Sequence, residues 1–285
     1  NFPLQLIFSP LANVLAAGNR AMIKPSEMTP NTSLLIEKLI REYFDDSEIA
    51  VVNGGVETAT EFSRLPFDHL IFTGAPEVGK HVMSAAAKNL VPVTLELGGK
   101  CPVIAGKSAN LSQLVDRLMT FKTINSGQIC LAPDTLYIHA DQLQEFSARA
   151  ASWVQSCYPD LYNNEDYTSI INQKHYQRVL SYLKEAEHAG AQVTYLYDDG
   201  SYTDAELKKI APALIIDPPN NTSIYEQEIF GPLLLVRTYH DFEEVLAALS
   251  KEERPLGLYY FGEDKKERSA IKYNTISGGL VFNDI

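Results

Sequence analysis

Apolar positions along the chain alternate between two rhythms, and the changes of rhythm mark its elements. Residues 34–44 carry apolar side chains at every third or fourth position behind Asn31-Thr-Ser33, which predicts a capped amphipathic helix. Before it, Pro3 and Pro10 bracket an apolar run fit for the first turns of a helix, which residues 11–17 continue until Gly18-Asn19. Short buried strands are predicted at 21–24, 49–52, 69–73 and 91–97, with a helix entered through Gly74-Ala-Pro-Glu-Val-Gly79 and running to Ala87. Strand and helix thus alternate within the first hundred residues, the pattern of a parallel sheet with helices on its faces.

The alternation resumes after Lys100. Helices are predicted near 110–125, 141–157, 173–189 and 241–250, with strands near 135–139, 192–195, 213–216, 232–237 and 256–261. Residues 198–204 read as a polar surface loop and 221–229 as a capped loop. The fold class is therefore α/β, with a Rossmann-like parallel-sheet domain over 1–99 and a second α/β domain over 100–285. Such sheets bind ligands beyond their strand ends, often nucleotides.

Composition narrows the function classes. The 285 residues carry a formal net charge of -12, and no basic cluster or long apolar run appears, so neither nucleic acid nor a membrane is an expected partner. Cys101, Cys130 and Cys157 are widely spaced and odd in number, which argues against a disulfide framework or a zinc site and for a reducing, cytoplasmic setting. No metal is expected.

Candidate chemistry centres on Asn125-Ser-Gly-Gln-Ile-Cys130, a small-residue turn between a helix and a strand. A thiol there can attack a carbonyl as its thiolate. Read alone, the same residue is more often a small buried hydrophobe. Glu96 interrupts the apolar run before Gly98-Gly99, where a carboxylate is either paired for structure or desolvated for base work. Lys24 and Glu27 offer a cation and an acceptor suited to ribose hydroxyls, or form a solvated surface pair. Gly74 and Gly79 with Lys80 resemble a P-loop, but His81 stands where the magnesium-binding hydroxyl belongs. Glu228 and Phe230, on the turn before Gly231-Pro232, can hold a ribose or simply pack.

Asn1-Phe-Pro3, Lys24-Pro-Ser-Glu27, Phe72-Thr-Gly74 with Gly79-Lys80, Leu95-Glu-Leu-Gly-Gly-Lys100, Ser126-Gly-Gln-Ile-Cys130 and Glu228-Ile-Phe-Gly-Pro232 together resemble the aldehyde dehydrogenase superfamily in order and spacing. Phe67-Asp-His-Leu-Ile-Phe-Thr73, Val91-Pro-Val-Thr94, Ala132-Pro-Asp134 and Ser277-Gly-Gly279 are most similar to its class 3 branch, which includes coniferyl aldehyde dehydrogenases.

The resemblance implies Cys130 as nucleophile, Glu96 as the base that activates the hydrolytic water, and Asn1 as an oxyanion-hole amide beside the Cys130 N–H. It implies Lys24 and Glu27 at the adenosine ribose, Gly74 and Gly79 at the cofactor's turn, Leu97 at the nicotinamide amide, and Glu228 and Phe230 at the nicotinamide riboside. The expected reaction is oxidation of an aldehyde, aromatic such as coniferaldehyde or medium- to long-chain aliphatic, to the acid through a thioester. Glu27 favours NAD as cofactor without excluding NADP. Family members extend past both ends of this chain, so a central fragment of a homodimeric enzyme is expected. A catalytically inactive nucleotide-binding relative of the same fold is the alternative.

Overall fold

A computed structural model describes residues 1–197 and 200–285. Asp198 and Asp199, at the start of the loop predicted over 198–204, lie outside the described residues. The chain divides into two compact units, residues 1–97 and 98–285.

The first unit runs α1 (Gln5–Ala16), β1 (Ala21–Ile23), α2 (Pro30–Tyr43), β2 (Ile49–Val51), α3 (Val56–Phe62), β3 (Leu70–Gly74), α4 (Pro76–Ala87) and β4 (Val93–Leu97). β1 pairs with β2 and β3 with β4, both in parallel, as two separate two-stranded sheets. Each pair has its own small core. Leu11, Ile36, Ile40 and Ile49 bury one, and Leu70, Val82, Ala86 and Val91 the other. The helix predicted behind Asn31 starts earlier, at Pro30, and Thr29 at its N-cap makes no side-chain capping bond. Proline suits the first helical position because the N–H it lacks would have no partner there. α1 continues through Pro10, giving up one internal hydrogen bond.

In the second unit the elements are β5 (Cys101–Ala105), α5 (Leu111–Thr123), β6 (Pro133–His139), α6 (Leu143–Cys157), α7 (Gln173–His188), β7 (Gln192–Tyr195), β8 (Thr203–Asp204), β9 (Lys209–Ile210), β10 (Ala213–Ile216), α8 (Ser223–Glu226), β11 (Leu233–Tyr239), α9 (Phe242–Leu249), β12 (Gly257–Phe261), α10 (Lys265–Asn274) and β13 (Gly279–Phe282). Seven of these strands form one sheet in the order β13-β12-β5-β6-β11-β10-β7. All its pairings are parallel except β7 with β10, so the sheet is mixed.

Successive side chains of a strand face opposite sides of a sheet, and here both sides are covered. Val103, Leu136, Ile138, Leu214, Leu234 and Val236 pack toward α5 and α6. Their alternates Ala213, Ile215, Leu233 and Leu235 meet α7, while Ile104, Tyr137, Leu258 and Tyr260 meet α9 and α10. Burial on both faces explains why β5, β6, β10 and β12 are fully buried along their lengths. Among the described residues, no helix is long and apolar enough to cross a membrane.

Candidate active site

Cys130 is partly exposed and lies between α5 and β6, the helix-to-strand position its sequence context predicts. α5 ends at Thr123, short of the predicted stop near Gly127, and a single 3-10 turn over Ile124–Gly127 follows. Asn125 and Ser126 each have φ 51°, and Gly127 has φ 71°. A left-handed conformation costs roughly 1–2 kcal/mol for each non-glycine residue, so this turn needs external support.

Side chains supply that support. Ser126 Oγ donates to the Thr168 carbonyl, and Asn125 Nδ2 donates to the Gln128 carbonyl at 3.1 Å. Gln128, itself buried, donates to the carbonyls of Asn125 at 2.9 Å and Ser169 at 3.2 Å, and accepts from the Ile171 amide at 3.0 Å. A Cβ on Gly127 would lie 2.3 Å from the Gly231 carbonyl oxygen, so only glycine fits where this turn meets the loop after Phe230. The Cys130 amide makes no hydrogen bond to protein among the described residues.

The second element of the site is the loop from α8 to Gly231. Asp134, buried at the start of β6, accepts from the Ile229 amide at 2.8 Å and forms an ion pair with Lys100. Lys100 also donates to the carbonyls of Ile224 at 2.9 Å and Gln227 at 3.1 Å. Arg178 on α7 reaches the carbonyls of Glu228 (3.3 Å), Ile229 (2.8 Å) and Phe230 (3.3 Å). Phe230 has φ 43°, a left-handed value held inside this clamp. A Cβ on Gly98 would fall 2.1 Å from a Glu228 carboxylate oxygen, and the Gly99 amide donates to that carboxylate.

Burial pushes the Glu228 carboxyl up to about 7, with Asp134 adding to the rise and the Gly99 amide, Arg178 and Lys100 opposing it. Cys101 donates its thiol to the Cys130 carbonyl at 3.3 Å and is pushed up to about 12 by burial. Lys122, fully buried, donates to the Pro133 carbonyl at 2.7 Å, and burial lowers it to about 8.

In the first unit, Lys24 pairs with Glu27 at 3.2 Å. Burial pushes the Glu27 carboxyl up, but its own backbone amide and Lys24 outweigh that and hold it below the usual range. Gly74 closes β3, and Gly79 is buried on α4 against Leu97, whose side chain a Cβ at Gly79 would meet at 2.8 Å. Glu96 is exposed on β4 in register with Thr73, and no hydrogen bond or ion pair holds it among the described residues. Neither of the two sequence readings for it is met: no structural pair holds the carboxylate among the described residues, and its exposure leaves it solvated rather than desolvated. Asn1 is exposed.

The structure thus gathers Cys130, Glu228 and Phe230 in one unit, and Asn1, Lys24, Glu27, Gly74, Gly79, Glu96 and Leu97 in the other. It adds Lys100, Lys122, Gln128, Asp134 and Arg178, to which sequence reasoning assigns no role. Lys100, Gln128 and Asp134 do stand inside or beside the quoted motifs. Arg178 gives no such signal, because an arginine among the polar positions of α7 reads like any solvated one.

Residues 1–285 match a family described as "Aldehyde dehydrogenase family". The chain belongs to this family. It is similar to the coniferyl aldehyde dehydrogenase of a Pseudomonas species, with 48% identity over 286 residues that cover 100% of this chain and 60% of the relative. Among solved structures, Staphylococcus aureus AldH in its substrate-bound state is similar at a TM-score of 0.93 and 38% identity, over 99% of this chain and 60% of that one. A Mycobacterium tuberculosis aldehyde dehydrogenase complexed with NAD+ is similar at a TM-score of 0.87 and 26% identity, over 99% and 59%. This aldehyde dehydrogenase family chain therefore spans 60% of the length of such relatives.

Proposed function

We propose that this chain carries the cofactor-binding and nucleophile-bearing parts of an NAD(P)-dependent dehydrogenase that oxidises an aldehyde to its carboxylic acid. The first unit would hold most of the cofactor and the second the reacting thiol. The single observation that carries the reading is Cys130: a partly exposed thiol three residues beyond a left-handed turn, with an amide N–H that no protein group takes up among the described residues.

The residues present fit a dinucleotide. Lys24 and Glu27 offer a donor and an acceptor to the adenosine ribose, and Gly74 opens the way to the N-terminus of α4, where anions are favoured. Glu228 stands over Gly98 in space that any side chain there would fill, leaving its carboxylate to accept ribose hydroxyls beside Phe230. NAD, when bound, supplies the hydride acceptor. An ionised Glu27 disfavours a 2′-phosphate, which supports NAD over NADP.

Cys130 thiolate adds to the aldehyde carbon, and its own amide with the Asn1 side chain steadies the oxyanion, a contribution of about 3 kcal/mol per donor. The thioester left on Cys130 is hydrolysed by water whose proton Glu96 accepts. The similarity to a coniferyl aldehyde dehydrogenase supports an aromatic aldehyde as substrate.

The test is aldehyde-dependent NAD reduction by the full-length protein, wild type beside Cys130→Ala, with coniferaldehyde and a medium-chain alkanal. Turnover that disappears in the variant supports the reading, and the ratio of the two rates assigns the substrate class. Absence of turnover with both aldehydes, despite NAD binding, favours the inactive relative.

A further inference from the structure

Arg178 has an environment that neither ion pairing nor solvation explains. Its guanidinium is half-buried on α7, and among the described residues no carboxylate lies within ion-pair distance of it. It stacks over the Tyr182 ring at 5.3 Å and donates to the Tyr182 hydroxyl at 3.3 Å. Nε donates to His175 Nδ1 at 3.4 Å, and burial together with the adjacent Arg178 and Lys174 charges keeps His175 below its ordinary pKa, hence a neutral acceptor. Nη1 also donates to the carbonyls of Glu228 and Ile229, and Nη2 to that of Phe230.

Three consecutive carbonyls on one cation is an unusual backbone arrangement. In extended chain, successive carbonyls point to opposite sides. Here they converge because Phe230 adopts φ 43°, which a bulky residue avoids unless its surroundings impose it. Asp134 holds the Ile229 amide from the other side, but Asp134 is already neutralised by Lys100. Arg178 alone brings an unpaired charge to the loop. A planar fork with several fixed donors can span such a set of acceptors, and a lysine ammonium cannot do so from one position.

We propose that Arg178 is a positioning residue for the nicotinamide end of the cofactor, fixing the Glu228–Phe230 backbone so that the Glu228 carboxylate and the Phe230 ring are presented together. The inference rests on the reading of Glu228 and Phe230 as cofactor ligands. Arg178 touches neither cofactor nor substrate in this role. It also faces Glu228 electrostatically, as do Lys100, Lys122, Asp134 and the Cys101 thiol, so the Glu228 carboxyl loses one of its cationic neighbours when Arg178 is replaced.

The test uses the full-length protein as wild type, R178K and R178M, with NAD affinity measured by calorimetry across a pH series and Cys130 alkylation measured without cofactor. R178M is expected to weaken NAD binding about tenfold, the scale of losing a charged hydrogen bond, and to move the midpoint of its pH dependence upward. R178K keeps the charge, so it is expected to keep the midpoint while losing several-fold in affinity. Cys130 alkylation is expected to stay within about twofold of wild type in both. Unchanged NAD affinity and midpoint in folded R178M overturns the proposal. Should R178M fail to fold, unchanged affinity in R178K overturns it equally. Wild type that is folded yet binds no NAD removes the functional reading itself, and this inference with it.

Discussion

Glu228 titrates near neutrality because burial raises its carboxyl to about 7. Two consequences have opposite signs. As a proposed acceptor of ribose hydroxyls it works best ionised, so NAD affinity is expected to fall as pH drops through about 7, and Glu228→Gln to flatten that profile and weaken binding about tenfold at high pH. Without cofactor the ionised form is the costly one. The unfolded carboxyl releases its proton near 4.5 while the native one keeps it to about 7, so this group lowers stability progressively between those values and by a constant amount above them. Glu228→Gln is therefore expected to gain in melting temperature over wild type on going from about pH 5 to about pH 8 in cofactor-free protein, read by calorimetry. The three cysteines should also separate under iodoacetamide: Cys157, exposed, and Cys130, partly exposed, react in native protein, while buried Cys101, at about 12, reacts only on unfolding. Peptide mass mapping checks this. At this scale the sequence discloses residues whose identity is their chemistry, such as the turn-borne position of Cys130. Arg178 is invisible there because its partners are carbonyls some fifty positions away, and every residue has a carbonyl.

Elements are more legible than the turns that join them. Helical periodicity locates α2, α5, α6, α7 and α9 within a few residues, because each buries one stripe against a sheet. The direction of β7 is not legible, since the sense in which an edge strand pairs is not fixed by its own four side chains. Nor is the left-handed run over Asn125–Gly127, which distant residues such as Thr168 and Ser169 impose. Gly127 tests the point. Alanine there adds left-handed strain to a collision with the Gly231 backbone oxygen, so Gly127→Ala is expected to lose roughly 2–4 kcal/mol in urea denaturation. Slower Cys130 alkylation should accompany the loss, as the turn can no longer seat against the loop.

The two units differ in how they are built. The second has one seven-stranded sheet covered on both faces, whereas the first has two separate strand pairs, each with a core of four buried residues. Two-stranded sheets are marginal by themselves. Hydrogen exchange is therefore expected to be slowest at the amides of β5, β6 and β11, and faster by orders of magnitude at β1–β4, measured by mass spectrometry. The α/β class is legible from alternation, but the division of the first unit into two pairs is not, because pairing depends on which strands meet in space. The supports of the Cys130 turn have a further consequence for the order of events during synthesis. Their partners lie about forty residues downstream at Thr168–Ile171 and about a hundred downstream at Gly231. At about 5–20 residues per second, the ribosome needs several seconds after adding Cys130 to supply the first and longer to supply the second. During that interval the thiol belongs to an unshaped chain, and the turn that seats it arises only when the later segments have emerged and docked.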